Sequence, residues 1–254
     1  MLLIDFLPQT AYIFILIFAR IGTLFMLLPA FSEQAISTRL RLVIALMTSL
    51  LMYPMVAANY GVVPGTLAGI LVAMGREMII AALIGLSMKL VMAALQIAAT
   101  TIAFQMGLSF AMGADPSSGQ QTVQIGTFLS TLAIAMIFIT NLHYLMIAAM
   151  YDSYQLFPVN QPIAIGDIAQ YATDILGESF IIGIKLSSPF IVYGLVFQFA
   201  LGLLSRLMPQ LQVYFLAMPA NIFVGLLLFM VLLITMMTWY MGHVEDVLGK
   251  FIIR

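Results

Sequence analysis

The chain has 254 residues, 63% of them apolar and only 7% charged, with a formal net charge of −1. Soluble domains carry about 25% charged residues, so this is a polytopic membrane protein from which no soluble domain of useful size can be cut. The near-neutral charge removes the basic face that nucleic acid requires, and the absence of cysteine removes thiol chemistry, disulfides and thiolate-bound metals.

Six apolar blocks follow in order: Tyr12–Pro29, Leu42–Ala58, Leu67–Ala111, Val123–Met150, Phe180–Ala200 and Val213–Met241. Several reach the roughly 20 residues that a crossing needs. The first holds no basic leader: Asp5 precedes it and Arg20 interrupts it, which fits a retained spanning helix rather than a cleaved signal. Polar segments separate the blocks at Ser32–Arg41, Asn59–Pro64, Asp115–Thr122, Asp152–Glu178 and Ser205–Gln212, with a tail from His243. The third block is too long for one ordinary span. It reads either as two helices meeting near Gly85–Lys89 or as one long kinked helix extending beyond the bilayer. Splitting it places Arg39, Arg41, Lys89, Lys250 and Arg254 on one side against Arg206 alone. That is the better answer to the positive-inside rule, with the N-terminus outside and the C-terminus in the cytoplasm.

Arg20, Arg76, Glu77, Lys89 and Lys185 stand inside apolar blocks. A charge at bilayer centre costs at least about 2.5–3.5 kcal/mol, so each should face protein or water. Arg76 and Glu77 point about 100° apart on a helix and cannot simply neutralise one another; each needs a partner elsewhere. Lys89 and Lys185 are expected to snorkel to an interface. Arg20 and Glu77 are expected to pair between helices or between subunits.

The stretch Gln105–Gln121, QMGLSFAMGADPSSGQQ, is a small-residue, turn-forming interruption between two apolar blocks. Irregular backbone in a membrane protein must be buried in protein or line a water-filled path, which makes this stretch a candidate pore element. Phe110 offers a bulky apolar seal, and Met106 and Met112 supply unbranched, deformable side chains. Such a constriction stops ions by dewetting. Gly107 and Gly113 are candidate hinges, and Asp115-Pro116 favours an extended or turn conformation at the far end. The plainer alternative is a connecting loop in which Phe110 merely packs. Further on, Arg206 precedes Met208-Pro209-Gln210, where proline stops a helix and removes a donor. Arg206 then satisfies freed carbonyls, pairs with an acidic group on a neighbouring subunit, or simply marks an interface.

Signatures of chemistry are sparse. There is no phosphate loop, no dinucleotide fingerprint and no ligand-spaced cluster of histidines and carboxylates, and His143 and His243 are too few and too far apart for a metal. Gly107-Leu108-Ser109 with His143 raises an intramembrane serine protease, which needs the two side chains in contact beside an oxyanion site; bulky Phe110 follows the serine. A small-molecule or ion transporter is the stronger rival, since buried charges and broken helices suit it. Against it, no internal repeat relates the two halves and no paired carboxylates suggest ion coupling.

Four strings in register resemble the FliR family of flagellar export-gate proteins and its virulence-secretion relatives. They are FARIGTLFMLLPAFSEQAISTRLRLVIAL at Phe18–Leu46, GREMIIAALIGLSMKLVMAALQ at Gly75–Gln96, the Gln105–Gln121 stretch, and LGLLSRLMPQLQVYFLAMP at Leu201–Pro219. In the third, Gln105, Met106, Gly107, Phe110, Asp115, Pro116 and Gly119 fall on the family pattern, and Met106–Ala111 favours the flagellar branch. The chain departs from the pattern in two places. Ala99 and Thr100 stand where a Gly-Glu pair is common, and Asn141, Leu142 and His143 where a Gly-His pair is usual.

The resemblance implies an all-α protein of long, kinked hydrophobic helices, one integral membrane domain over residues 1–254, within a hetero-oligomeric helical export gate. It implies no enzymatic activity and no cofactor. The implied partners are FliP and FliQ in one complex, with FlhA and FlhB nearby, and the implied cargo is unfolded flagellar subunits. The implied location is the bacterial inner membrane at the flagellar basal body. Met106, Gly107, Phe110, Met112, Gly113, Asp115 and Pro116 would belong to the pore plug. Arg20, Glu77, Arg206 and Pro209 would serve assembly.

Overall fold

The computed structural model describes residues 2–32, 36–61, 64, 66–108, 124–159, 165–208 and 213–253. Their regular structure is entirely helical: α1 (Leu2–Leu27), α2 (Thr38–Val56), α3 (Leu67–Gln105), α4 (Gln124–Ile139), α5 (Leu142–Leu156), α6 (Ile165–Leu207) and α7 (Val213–Gly249), with one short 3-10 turn at Ala57–Asn59. The all-α expectation holds. Among the described residues, five helices are long and apolar enough to cross a membrane, and α4 with α5 is so only when the two are taken together as a bent pair.

The helices sharpen the block pattern at three places. Of the two readings of the third apolar block, the single long helix holds: Leu67–Gln105 is one uninterrupted helix of 39 residues, about 58 Å long at 1.5 Å per residue. It contains no proline to break it, and an unbroken helix cannot cross twice, so the two-crossing solution and its charge count fall. Gly85, which looked like punctuation, is a contact point: a Cβ there would lie 2.5 Å from Leu27 Cβ. The fourth block does break. α4 and α5 are bent by 77°, and Asn141 at the break has φ 61, a left-handed conformation that asparagine tolerates better than most residues. Finally, the polar stretch from Asp152 is not one long connection. α5 runs to Leu156 and α6 starts at Ile165, with Asp167 in its first turn, where a negative charge suits the helix dipole.

The chain packs as two compact units, one of Met1–Leu90, Ile137–Leu176 and Val244–Arg254, the other of Val91–Met136 and Gly177–His243. In the first, α1 buries Ile13, Leu16, Ile17, Ile21 and Leu24, a stripe at the three-to-four-residue interval of one helical face. α1 packs against α2, which buries Ala45, Ser49, Met52 and Val56. The rest of α2 leaves Val43, Met47, Leu50, Leu51 and Met55 exposed, an apolar outer surface suited to lipid or a neighbour rather than water.

Arg20 lies in the buried stripe of α1, with no exposed surface. Its Nε donates to Glu77 Oε2 at 2.5 Å, Nη1 donates to the Ser153 carbonyl at 2.9 Å, and Nη2 reaches the Phe157 carbonyl at 3.4 Å. The guanidinium also lies over the Tyr154 ring, 4.2 Å from its centroid. Tyr60 meets Tyr154 edge-on, with centroids 6.3 Å apart. Burial, aided by the Glu77 charge, pushes the Tyr60 hydroxyl up, so it stays a neutral phenol. Arg76 turns elsewhere, donating to the carbonyls of Val159 and Pro158.

In the second unit, α3 buries Val91, Leu95, Ala98 and Ile102, α6 buries Ile182, Leu186 and Phe190, and α7 buries Met237, Tyr240 and Met241. Small residues allow close approach, as in many membrane helix pairs: a Cβ on Gly183 would meet the Ala94 carbonyl at 2.9 Å. The Tyr240 hydroxyl, fully buried, donates to the Val91 carbonyl at 3.1 Å.

Removing one partner of the buried Arg20–Glu77 pair should cost about 3–5 kcal/mol, because the other charge is left unpaired in an apolar interior. Thermal unfolding in detergent should therefore drop steeply for Arg20→Met and for Glu77→Met. The double variant should lose less than the two combined; strictly additive losses would show that the side chains are uncoupled.

Candidate functional site at the end of helix α3

α3 stops where glycine lets it stop. The Met106 amide still donates to the Ile102 carbonyl at 3.0 Å, but the Gly107 amide closes a shorter turn onto the Phe104 carbonyl at 3.1 Å. Gly107 then takes φ +75, the left-handed geometry that ends many helices and that glycine adopts without penalty. A helix end leaves carbonyls without intrahelical partners. Here the Asn221 Nδ2 of α7 donates to the Gln105 carbonyl at 3.2 Å. Asn221 is oriented in turn by Tyr193 of α6, whose hydroxyl lies 2.7 Å from Asn221 Oδ1 and 3.1 Å from the Asn221 carbonyl. Its single proton goes to the nearer oxygen.

Two glycines make room for this fastening. The Gln105 side-chain amide occupies the space a Cβ would need at Gly194, and a Cβ on Gly225 would lie 2.5 Å from Met106 Cγ. A Cβ on Gly107 would meet Asn221 Nδ2 at 3.1 Å. Beside the anchor is a cavity of about 70 Å³ with Gln105, Gln198 and Asn221 among apolar walls that include Phe104, Phe197 and Leu201, roomy enough for water. The turn that begins the Gln105–Gln121 stretch is thus held by side chains from two further helices.

Met106 has no exposed surface and lies against Gly225, so it fastens the end of α3 instead of lining an opening. Phe110, Met112, Gly113, Asp115, Pro116 and Pro209 lie outside the described residues, as does Ser109, so no distance relates that serine to His143. His143 stacks beside Phe138, with centroids 5.3 Å apart, and its buried Nδ1 has no hydrogen-bond partner among the described residues. Arg20 and Glu77 are spent on each other inside the chain, which leaves neither free to meet a neighbouring subunit directly. Arg206 is exposed in the last turn of α6, where a cation complements the C-terminal end of the dipole. Lys89 and Lys185 are exposed part-way along α3 and α6.

Sequence reasoning missed Tyr193, Gly194, Asn221 and Gly225. Asn221 carried a usable signal, because an amide within an apolar helix must find a partner. Among the described residues, no group of three or more histidines and carboxylates is placed to hold a metal ion.

Long apolar helices, buried charges satisfied internally and a fastened end of α3 define an integral membrane scaffold. The family model for bacterial export proteins, family 1, matches residues 11–247. The flagellar biosynthetic protein FliR of Caulobacter vibrioides is 38% identical over 215 residues, covering 85% of this chain and 86% of that protein. FliR of Bacillus subtilis is 28% identical over 235 residues, covering 90% and 87%. The Yop proteins translocation protein T of Yersinia pestis is 26% identical over 237 residues, covering 92% and 90%. The chain belongs to the bacterial export proteins of family 1, in the FliR family, and is a component of a type III protein export apparatus.

Asn221→Ala should leave the Gln105 carbonyl without its side-chain donor and the Tyr193 hydroxyl with only the residue-221 carbonyl, at a cost of about 1–3 kcal/mol, and Tyr193→Phe about 1 kcal/mol. Hydrogen exchange of a peptide spanning Ile102–Leu108 should speed up in both, more in the first. Unchanged exchange in Asn221→Ala would mean that this contact does not hold the helix end.

Proposed function

We propose that this chain forms, with FliP and FliQ, the channel through which unfolded flagellar subunits leave the cytoplasm, and that the loop between α3 and α4 plugs it. The observation that carries the assembly is the apolar surface of α6. Phe180, Val192, Leu195, Val196, Phe199, Leu203 and Leu207 are all exposed. The run from Phe180 to Leu207 rises about 40 Å, longer than the hydrocarbon core of about 30 Å. Apolar surface that overruns the lipid must be covered by protein, which suits a member of a hetero-oligomeric gate and disfavours a self-sufficient transporter. FlhA and FlhB would stand nearby, and the location would be the inner membrane at the flagellar basal body.

In this reading the plug acts by obstruction. Phe110 would provide the apolar seal, Met112 a deformable flank, Gly107 and Gly113 the bending points, and Asp115-Pro116 the far turn. The fastening by Asn221, Tyr193 and Gly225 supports it, since a loop that closes a channel needs a fixed root. Arg206 and Pro209 would shape the turn between α6 and α7 that meets neighbouring subunits. Arg20 and Glu77 would act at one remove, by fixing the shape of the unit that carries them. No step needs an active serine or a bound cofactor.

Removing Ser109–Gly113 as a unit, so that no bulky neighbour substitutes for Phe110, should make cells carrying the assembled gate leak small ions or solutes. Unchanged permeability in a fully assembled complex would sink the plug.

A further inference from the structure

One exposed face of the second unit is unlike the others. α6 and α7 turn outward large apolar side chains, such as Val196 and Phe199, and Leu227, Met230 and Ile234. α3 and α4 instead expose Ala93, Gln96 and Thr100, and Gln124, Thr127 and Thr131. Each trio follows i, i+3, i+7, which is one side of a helix. The two sides are joined, because Gln96 Nε2 donates to Ser130 Oγ at 2.9 Å. Neither Val91–Gln105 nor Gln124–Met136 contains a charged residue. The exposed aromatics Phe104 and Phe128 accompany this face: Phe104 lines the small cavity beside the anchor, and Phe128 leans on Phe229, with centroids 6.2 Å apart.

Side-chain amides set in hydrocarbon would lose their hydrogen bonds to water, so this face does not suit lipid. Its hydroxyls are also unusually undemanding. Thr100 Oγ1 donates to the Gln96 carbonyl at 2.7 Å, and Thr131 Oγ1 donates to the Thr127 carbonyl at 2.8 Å. Those two hydroxyl protons are spent on their own helices, and what remains outward is wettable and uncharged. A ring of charges would select among ions and segments, and an apolar wall would dewet. A wall past which any sequence must slide needs neither. In sequence the face flanks the candidate plug on both sides, since α3 ends at Gln105 and α4 begins at Gln124.

We propose that this α3–α4 face is wall of the export conduit, in contact with water and with the extended polypeptide in transit. The proposal rests on the export-channel reading and adds the residues that the passing chain would touch.

The chain has no cysteine, so single substitutions report on single positions. Thr100→Cys, Thr127→Cys and Thr131→Cys are made in the full gate complex of export-competent cells, with Leu227→Cys and Met230→Cys as apolar-face controls and Ala93→Cys as the replacement should a threonine variant lose export. The probe is a charged, membrane-impermeant maleimide, applied with and without an export substrate arrested by a fused folded domain. A thiol in apolar surroundings ionises poorly, so the wall positions should react at least about tenfold faster than the controls, one pKa unit being a factor of ten in thiolate. The arrested substrate should slow that labelling and crosslink to the same positions. Labelling no faster than the controls overturns the proposal, and so does fast labelling that an arrested substrate leaves unchanged, which would mean a water-facing surface away from the path. Crosslinks to a neighbouring subunit in place of substrate overturn it as well. If arrested substrate crosslinks nowhere on the complex, the channel reading fails first. If the wall positions behave as expected while the Ser109–Gly113 deletion does not leak, only the plug fails.

Discussion

A guanidinium brings five donors and a charge that cannot be shed, and Arg20 carries both into a helix stripe otherwise made of Ile, Leu and Phe. There it must be met from all sides or not be buried at all. Glu77 neutralises it from α3, the Ser153 and Phe157 carbonyls accept from it at the end of α5, and the Tyr154 ring lies over it. The partners come from two stretches of chain distant from α1, Glu77 on α3 and Ser153–Phe157 at the end of α5, so satisfying one side chain fixes α1, α3 and α5 together. The price of such a pair is that it does not tolerate a half: a lone carboxylate or a lone guanidinium in that place is worse than two apolar residues.

The same rule governs the other unit in a milder form. An ending helix exposes carbonyls, and at the end of α3 the demand is met by Asn221 with Tyr193 behind it. Glycines at 194 and 225 let Gln105 and Met106 close in. The outcome is a helix end held firmly at Gln105–Gly107 by side chains from α6 and α7. Function follows from these contrasts. Where the surface is apolar beyond the reach of lipid, it calls for other proteins; where it is polar and uncharged, it calls for water.

Much of this was legible from the residues. Long apolar blocks without strand alternation gave helices, and a charge inside a block announced a need for a partner, as Arg20 and Glu77 did. Which partner was not legible, because the two are 57 residues apart and nothing local joins them. Gly85 misled, since glycine marks a break or a close contact equally well, and only Leu27 beside it decides. The start of α6 was hidden because Asp167, Gln170, Thr173 and Asp174 gave the stretch the composition of a loop. The anchor was hidden for a different reason: Gly194, Asn221 and Gly225 take their meaning from α3, which is distant in sequence. The resemblance to the FliR family, carried by four separate strings, was legible almost throughout, as the match over residues 11–247 reflects.

The most direct test of the export-gate account is composition. The chain is co-expressed with candidate FliP and FliQ chains, extracted from the membrane in mild detergent, and the mass of the purified particle is measured intact. The account predicts a single stable species that contains this chain together with both partners. A functional oligomer made of this chain alone, with FliP and FliQ left behind, would contradict it.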